Sequence, residues 1–487
     1  LDYNLKKELF MTQHKLILYK FLVPGLLLMS GCKKFGDTNV NPNESPLPVT
    51  SALLTKAQST LATVGMPANL SYYAQYYSQV QYPGDQLYAQ TNVGWDDFYS
   101  GGLMDLKSMI DVNTANPDPA ALSGNTKNQI QIARILKAYI FMSLTDRYGD
   151  IPYSKALQGV PKITYDKQQD IYTDLFKELK EAIAAFENTG AAVKGDIIYN
   201  GDQAKWKSFA NSLRMALAMN LSKIDAAKSK TEFTAALQDA GSYIKENAQN
   251  FSLQYPGGTY NNPFYNLTGA SELAVSATVS SKLNTYSDPR VLAYGEAVGG
   301  NVKGIPYGFS RANNLTWLNS NPDYSKLYAA NLKKATSTAT ILPAAYVYLL
   351  RAEAQLRYNT GEDAYTLLRD GIQKSFDQWG VSGNATAYLS ALGVSSATDV
   401  TIDIVQEQKW IALFGSGQFA WNEWRRTGLP NLLPAPDALN ASKKIPRRYG
   451  WPVTEPNLNK EAYNAAVAAM PYPGGDVHDS RVWWDKP

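Results

Sequence analysis

The chain has 487 residues, of which 18% are charged and 12% aromatic, and its 46 basic and 43 acidic residues leave a net charge of +3. That balance gives no electrostatic basis for nucleic-acid binding. A single cysteine and two histidines exclude an internal disulfide, a CxxC metal or iron–sulfur site and a multi-histidine metal centre, because His14 lies in a segment read below as removed.

A Ser-His-Asp triad would have to rest on His478 alone. Length sets a prior of up to three domains. An apolar fraction of 45% supports a large core.

Leu16 to Met29 is a nearly unbroken apolar run, interrupted by Lys20 and preceded by Lys15. It is shorter than the roughly 20 residues a spanning helix needs, and it has the form of a secretory h-region with Met11 as its start. The run ends in Leu28-Met29-Ser30-Gly31-Cys32, small residues before the chain's one cysteine, which is the bacterial lipobox pattern with Met29 where Leu is usual. The expectation is a signal peptide over 1–31 and lipidation of Cys32. Several acyl chains at roughly 0.8 kcal/mol per buried CH2 make a durable anchor. The competing reading is an ordinary signal peptide with a chance cysteine. Residues 32–50, rich in Lys, Asn, Pro and Gly, read as a tether, leaving 51–487 as one body.

In that body, Ile132, Ile135, Leu136, Tyr139, Ile140 and Leu144 form a helical stripe that ends near Gly149 and Pro152. Asp170 can cap a second helix carrying Ile171, Leu175, Leu179, Ile183 and Phe186, and Asp202 a third carrying Trp206, Phe209, Leu213, Leu217, Leu221 and Ile224. Ala345, Tyr348, Leu349, Ala352 and Leu356 make a fourth stripe, and Ala364, Leu367, Leu368, Gly371 and Ile372 a fifth. Small residues at 352, 364 and 371 let these two approach closely. The unit from 342 to 376 is close to the tetratricopeptide period of 34, without an exact sequence repeat. Strand-like alternation is scarce, so the fold class is mostly all-α: tetratricopeptide-like helix pairs in one large helical body. Long aromatic- and glycine-rich segments without a period, 82–95, 253–268 and 299–321, read as loops.

Four blocks carry a family resemblance. Arg134-x-x-Lys137-Ala138-Tyr139 leads to Leu144-Thr145-Asp146-Arg147-Tyr148-Gly149-Asp150-Ile151-Pro152-Tyr153, and Leu350-Arg351-Ala352-Glu353-Ala354 follows. Glu407-x-Lys409-Trp410 precedes Trp421-Asn422-Glu423-Trp424-Arg425-Arg426-Thr427-Gly428. Ile445-Pro446-Arg447-Arg448, Glu455-x-Asn457-x-Asn459 and Val482-Trp483-Trp484-Asp485 close the chain. In this order, behind a lipobox, they resemble the SusD/RagB family of nutrient-binding outer-membrane lipoproteins, in the branch ending in Trp-Trp-Asp. The resemblance implies tetratricopeptide-like helix pairs, a lipid-anchored place on the outer face of a Bacteroidetes-type outer membrane, and a TonB-dependent (SusC-like) barrel as partner. It further implies an oligosaccharide ligand, bound and handed over without catalysis. No cofactor and no metal-ligand set is read from the residues: the many Asp and Asn leave Ca2+ open but show no EF-hand-type spacing. A peptide- or protein-binding lipoprotein of the same architecture is the alternative. A glycosidase would need only two carboxylates, but no catalytic motif stands out.

A sugar binder needs exposed aromatic faces beside planar polar groups. Residues 299–321 supply Tyr307, Phe309 and Trp317 with Arg311, Asn313 and Asn314; Trp95, beside Asp96 and Asp97, is the other candidate. The expectation is that Trp95→Ala and Trp317→Ala weaken glycan binding without lowering the melting temperature. Each aromatic could instead pin its loop to the helices. Other clusters read as structural: Tyr72, Tyr73, Tyr76 and Tyr77 as stripes of one helix, Trp421 to Arg426 as a helix end packed on the core, Trp483 and Trp484 as a C-terminal plug, and Asp146, Arg147, Arg351 and Glu353 as fold-holding polar groups.

Overall fold

The computed structural model describes residues 47–89, 93–160, 162–268, 273–327, 334–472 and 474–487. The signal segment, Cys32 and the tether up to residue 46 lie outside the described residues. Residues 49–487 form one compact unit.

Helices dominate that unit. The first six long ones are α1 (Thr50–Ser59), α2 (Met104–Ala115), α3 (Thr126–Tyr148), α4 (Gln168–Ala184), α5 (Gln203–Asn220) and α6 (Ala226–Gln238). Each packs on the next in chain order, the arrangement expected of stacked helix pairs. Caps explain where they begin. The Asn125 side chain accepts from Asn128 N at the start of α3, and Asp202 accepts from Ala204 N and Lys205 N at the start of α5. For α4 the expectation needs correction. Lys167 holds the N-cap position, Asp170 sits inside the first turn, and Asp150 reaches across to accept from Gln168 N at 2.9 Å.

After α7 (Arg311–Ser320), the pair α8 (Ala344–Tyr358) and α9 (Ala364–Trp379) matches the tetratricopeptide-like unit. Asp363 caps α9 through Thr366 N. Close packing of the pair depends on Gly371, where an added Cβ would lie 2.9 Å from Leu349 Cγ and 3.2 Å from Tyr348 Cβ. α10 (Ile402–Ala412) packs on α8, and α11 (Gly417–Thr427) follows it. Among the described residues, four short strands make two antiparallel ribbons: β1 (Tyr77–Gln79) with β3 (Leu273–Val275), and β2 (Phe251–Gln254) with β4 (Thr338–Leu342).

Each of the four sequence blocks contributes residues to buried polar joints. Glu353 on α8 pairs with Lys409 of α10 and Arg426 of α11, all fully buried. Burial alone would raise the Glu353 carboxyl, but Arg426 and then Lys409 hold it well below its ordinary value. Asp146 at the end of α3 accepts from Tyr172, Asn422 and the Trp484 indole at 2.5, 2.6 and 2.9 Å. Arg425 lies between the rings of Trp421 and Trp484, 3.5 and 4.6 Å from their centroids. Burial pushes its guanidinium down to about 9. Trp484 is therefore a C-terminal plug, while Trp483 is half-buried against Tyr172.

The tyrosine cluster is buried but is not one helix. Tyr72 and Tyr73 end the short helix Ala68–Tyr73, Gln75 turns left-handed at φ 60°, and Tyr77 opens β1.

Candidate functional site

The segment 299–321 is not a loop throughout. Its second half is α7, begun by Ser310, whose hydroxyl accepts from Asn313 N. α7 docks mainly through an amide. Asn314, fully buried, donates to the carbonyls of Gln79 and Val80 at 2.8 and 3.2 Å, at the end of β1. Trp317 and Leu318 add a half-buried contact to Val80, Ala274 and Ile305.

Two neighbouring segments brace the start of α7. Gln86 donates to the Phe309 carbonyl at 3.0 Å and accepts from Gln79 N at 2.8 Å. On the other side, Asp437 accepts from Ser310 N and Asn313 Nδ2 at 2.7 and 2.6 Å, and the Ser310 N–H above all lowers its carboxyl pKa. Gly308 (φ 77°) allows the approach, since a Cβ there would lie 2.5 Å from Ala435 Cα. Leu439 N donates to Leu87 O at 2.7 Å, and Ala435 N to the Tyr88 hydroxyl at 3.0 Å. Residues 79–89, 305–318 and 433–439 thus form one cross-braced surface.

What this surface presents differs in part from the sequence expectation. Arg311 and Asn313 are exposed, and Phe309 and Trp317 are half-buried. Tyr307 is only 8% exposed and belongs to the core, where burial and the neighbouring Tyr88 push its hydroxyl well above its ordinary range. The exposed aromatic here is Tyr82, at 72%, accompanied by Leu315, Leu433 and Leu439. Sequence reading passed over Tyr82, although Tyr82-Pro83-Gly84 carries a turn signal that places a side chain at a loop tip. Asp437 gave no local signal, because its role depends on a segment more than a hundred residues away.

Trp95 and Asp96 lie elsewhere. The Trp95 ring is 4% exposed, with Tyr148, Tyr165 and Tyr99 at centroid distances of 5.2, 5.6 and 6.0 Å. Its edge, together with exposed Asp96, lines a cavity of about 420 Å3 whose wall is mostly apolar, including Met104, Leu157 and Leu458. Among the described residues, no hydrogen bond or ring contact joins Trp95 or Asp96 directly to α7. The link runs through buried rings: Trp95 to Tyr148, Tyr148 to Tyr449, Tyr449 to Tyr73 and Tyr73 to Tyr88. The predicted residues therefore divide into an α7 surface and a Trp95 cavity.

The α7 surface offers an exposed aromatic ring, an amide and a guanidinium on a rigid frame. That set can stack on an apolar ring face and hydrogen-bond to paired hydroxyls. Among the described residues there is no group of three or more His, Cys, Asp or Glu that could hold a metal ion, and no helix is long and apolar enough to cross a membrane.

Comparison with known proteins supplies the wider context. A family model, SusD-like_2, described as starch-binding and associating with the outer membrane, matches residues 42–452. A solved structure described as a chitin-binding protein is 26% identical over 90% of this chain and 100% of its own, with a TM-score of 0.76. A SusD homolog from Bacteroides uniformis is 26% identical over 90% of this chain and 99% of its own, with a TM-score of 0.75. A chitin-binding SusD homolog from Flavobacterium johnsoniae is 25% identical over 90% and 98%, with a TM-score of 0.72. A search of curated sequences gives no match. With its helix pairs, its buried polar joints and the family model spanning most of its length, the chain belongs to the SusD-like family of starch-binding, outer-membrane-associating proteins.

Proposed function

We propose that the protein is an outer-membrane lipoprotein, anchored through Cys32 and facing the cell exterior, that binds oligosaccharides on the α7 surface and delivers them to a TonB-dependent, SusC-like barrel. It binds and hands over its ligand without cleaving it. The observation that carries this reading is the braced surface of Tyr82, Arg311, Asn313 and Trp317 on a fold whose solved relatives include chitin-binding proteins. The frame is braced by hydrogen bonds within the chain itself, which lowers the ordering cost of binding. Asp437 supports the same division of labour, since its carboxylate holds two donors of α7.

The test is a mixed array of oligosaccharides and peptides probed with the purified mature chain, followed by competition with free sugar and free peptide. Retention of an oligosaccharide, competed by sugar, with no product released from a labelled glycan, is the expected result. Retention competed only by peptide would turn the reading to the peptide-binding alternative, for which exposed Leu433 and Leu439 offer apolar contacts.

A further inference from the structure

A second cavity, of about 350 Å3, opens beside the β2–β4 ribbon and shares no residue with the α7 surface or the Trp95 cavity. Its size lies at the low end of ligand sites, which run from about 300 to 1,000 Å3. Its floor is aromatic. Trp379 meets Tyr294 at 4.7 Å and Phe414 at 5.9 Å, and Phe414 stacks on Tyr294 at 3.9 Å and 3°. The floor is thus locked behind the cavity rather than free to swing into it.

Its rim is polar. Thr336, Thr338 and Gln378 line it, with exposed Lys334 at the edge. The rim is also held in place: Gln254 donates to the Thr336 carbonyl and accepts from the Thr338 hydroxyl, and Asn262 donates to the Ser337 and Ala335 carbonyls at 3.0 and 2.9 Å. None of the described lining residues is acidic, and Lys334 is the one cation among them.

An aromatic floor under hydroxyl and amide groups suits a ring with one apolar face and several hydroxyls. The volume suits a small ligand rather than a chain, and the lone lysine favours a negative substituent over a positive one. We infer that this cavity is a second sugar site that takes a single polyhydroxylated ring and binds a carboxylate-bearing ring more tightly than its neutral parent. The inference rests on the glycan-binding reading of the protein, and it adds a site away from α7 with its own ligand preference.

The experiment titrates the mature chain with glucuronate and with methyl glucoside, by calorimetry and saturation-transfer NMR, in the wild type and in Gln378→Ala, Lys334→Ala and Leu122→Ala. All three side chains lie at the surface or half-buried, so the variants are expected to fold, and a melting curve confirms it. Glucuronate is expected to bind several-fold more tightly than methyl glucoside. Gln378→Ala should weaken both by about tenfold, the order of one hydrogen-bonding group. Lys334→Ala should weaken glucuronate alone, and Leu122→Ala, an exposed position outside both sites, should change neither. Absence of binding in the millimolar range, equal affinity for the two rings, or affinities unchanged in both cavity variants would overturn the inference. An oligosaccharide titration run in parallel separates the two readings. If long glycans bind and single rings do not, only the cavity assignment falls; if neither binds, the glycan-binding reading falls with it.

Discussion

At the scale of single residues, exposure decides which aromatics can meet a ligand. Trp95 and Trp317 are alike in sequence, each a tryptophan in a polar, glycine-bearing stretch. In the structure, Trp95 is enclosed by three tyrosine rings and Trp317 is half-buried. Trp95→Ala is therefore expected to cost stability, by about 3–5 kcal/mol, seen as a lowered melting temperature. This revises the expectation that the substitution would leave melting unchanged. An unchanged melting curve would contradict the packed position. Local sequence could not separate the two tryptophans, because their burial is set by Tyr148 and Tyr165 for Trp95 and by Val80 and Ala274 for Trp317, all distant in the chain. Tyr82 carried one mark of exposure, the Pro83-Gly84 turn that follows it, but nothing local set it apart from the buried tyrosines just before it. The buried joints were more legible. Asp146, Arg147, Glu353 and Arg426 stood in dense polar blocks on helices, where ionisable groups facing the core must find partners.

At the scale of elements, helices with a wide apolar stripe were readable and the one docked through an amide was not. α5, α8 and α9 bury regular stripes, so their periods show in the sequence. α7 buries only Asn314 fully, so its period is faint, and its asparagines resemble a loop. Gln75 is a second case, since nothing in the sequence announces the left-handed turn that ends the tyrosine helix. The α8–α9 contact yields a direct test. Gly371→Val would place a branched side chain against Leu349 and Tyr348, where even a Cβ has too little room. A loss of about 2–3 kcal/mol in a urea titration is expected. Unchanged stability would show that the two helices do not pack as closely as 2.9 Å implies.

At the scale of the whole molecule, the length prior of several domains gives way to one body over 49–487, tied together by buried charge. Glu353 joins three helices through Lys409 and Arg426. Its carboxyl is held well below its ordinary 4.5, by Arg426 first and Lys409 next, against the opposing effect of burial. A depressed carboxylate contributes its full stability above the unfolded value and loses it as pH falls through the folded one. The urea midpoint is therefore expected to drop as pH falls below about 4.5. Glu353→Gln should flatten part of that slope while lowering stability at neutral pH by about 3–5 kcal/mol, because two buried cations lose one of their two carboxylates and are left to share Glu423. A pH slope identical in the variant would contradict the assignment.

The bracing of this body bears on function, because residues 79–89 and 433–439 hold the start of α7 by hydrogen bonds. The central claim is that this surface holds the glycan. The most direct measurement is the affinity of the mature chain and of Tyr82→Ala for the oligosaccharide that the array selects, read beside their melting temperatures. Tyr82 is 72% exposed, so its loss should leave melting unchanged. The account predicts an affinity weaker by about tenfold, the order of one aromatic contact. Equal affinity in the two proteins, with the glycan still bound, would place the ligand elsewhere and contradict it.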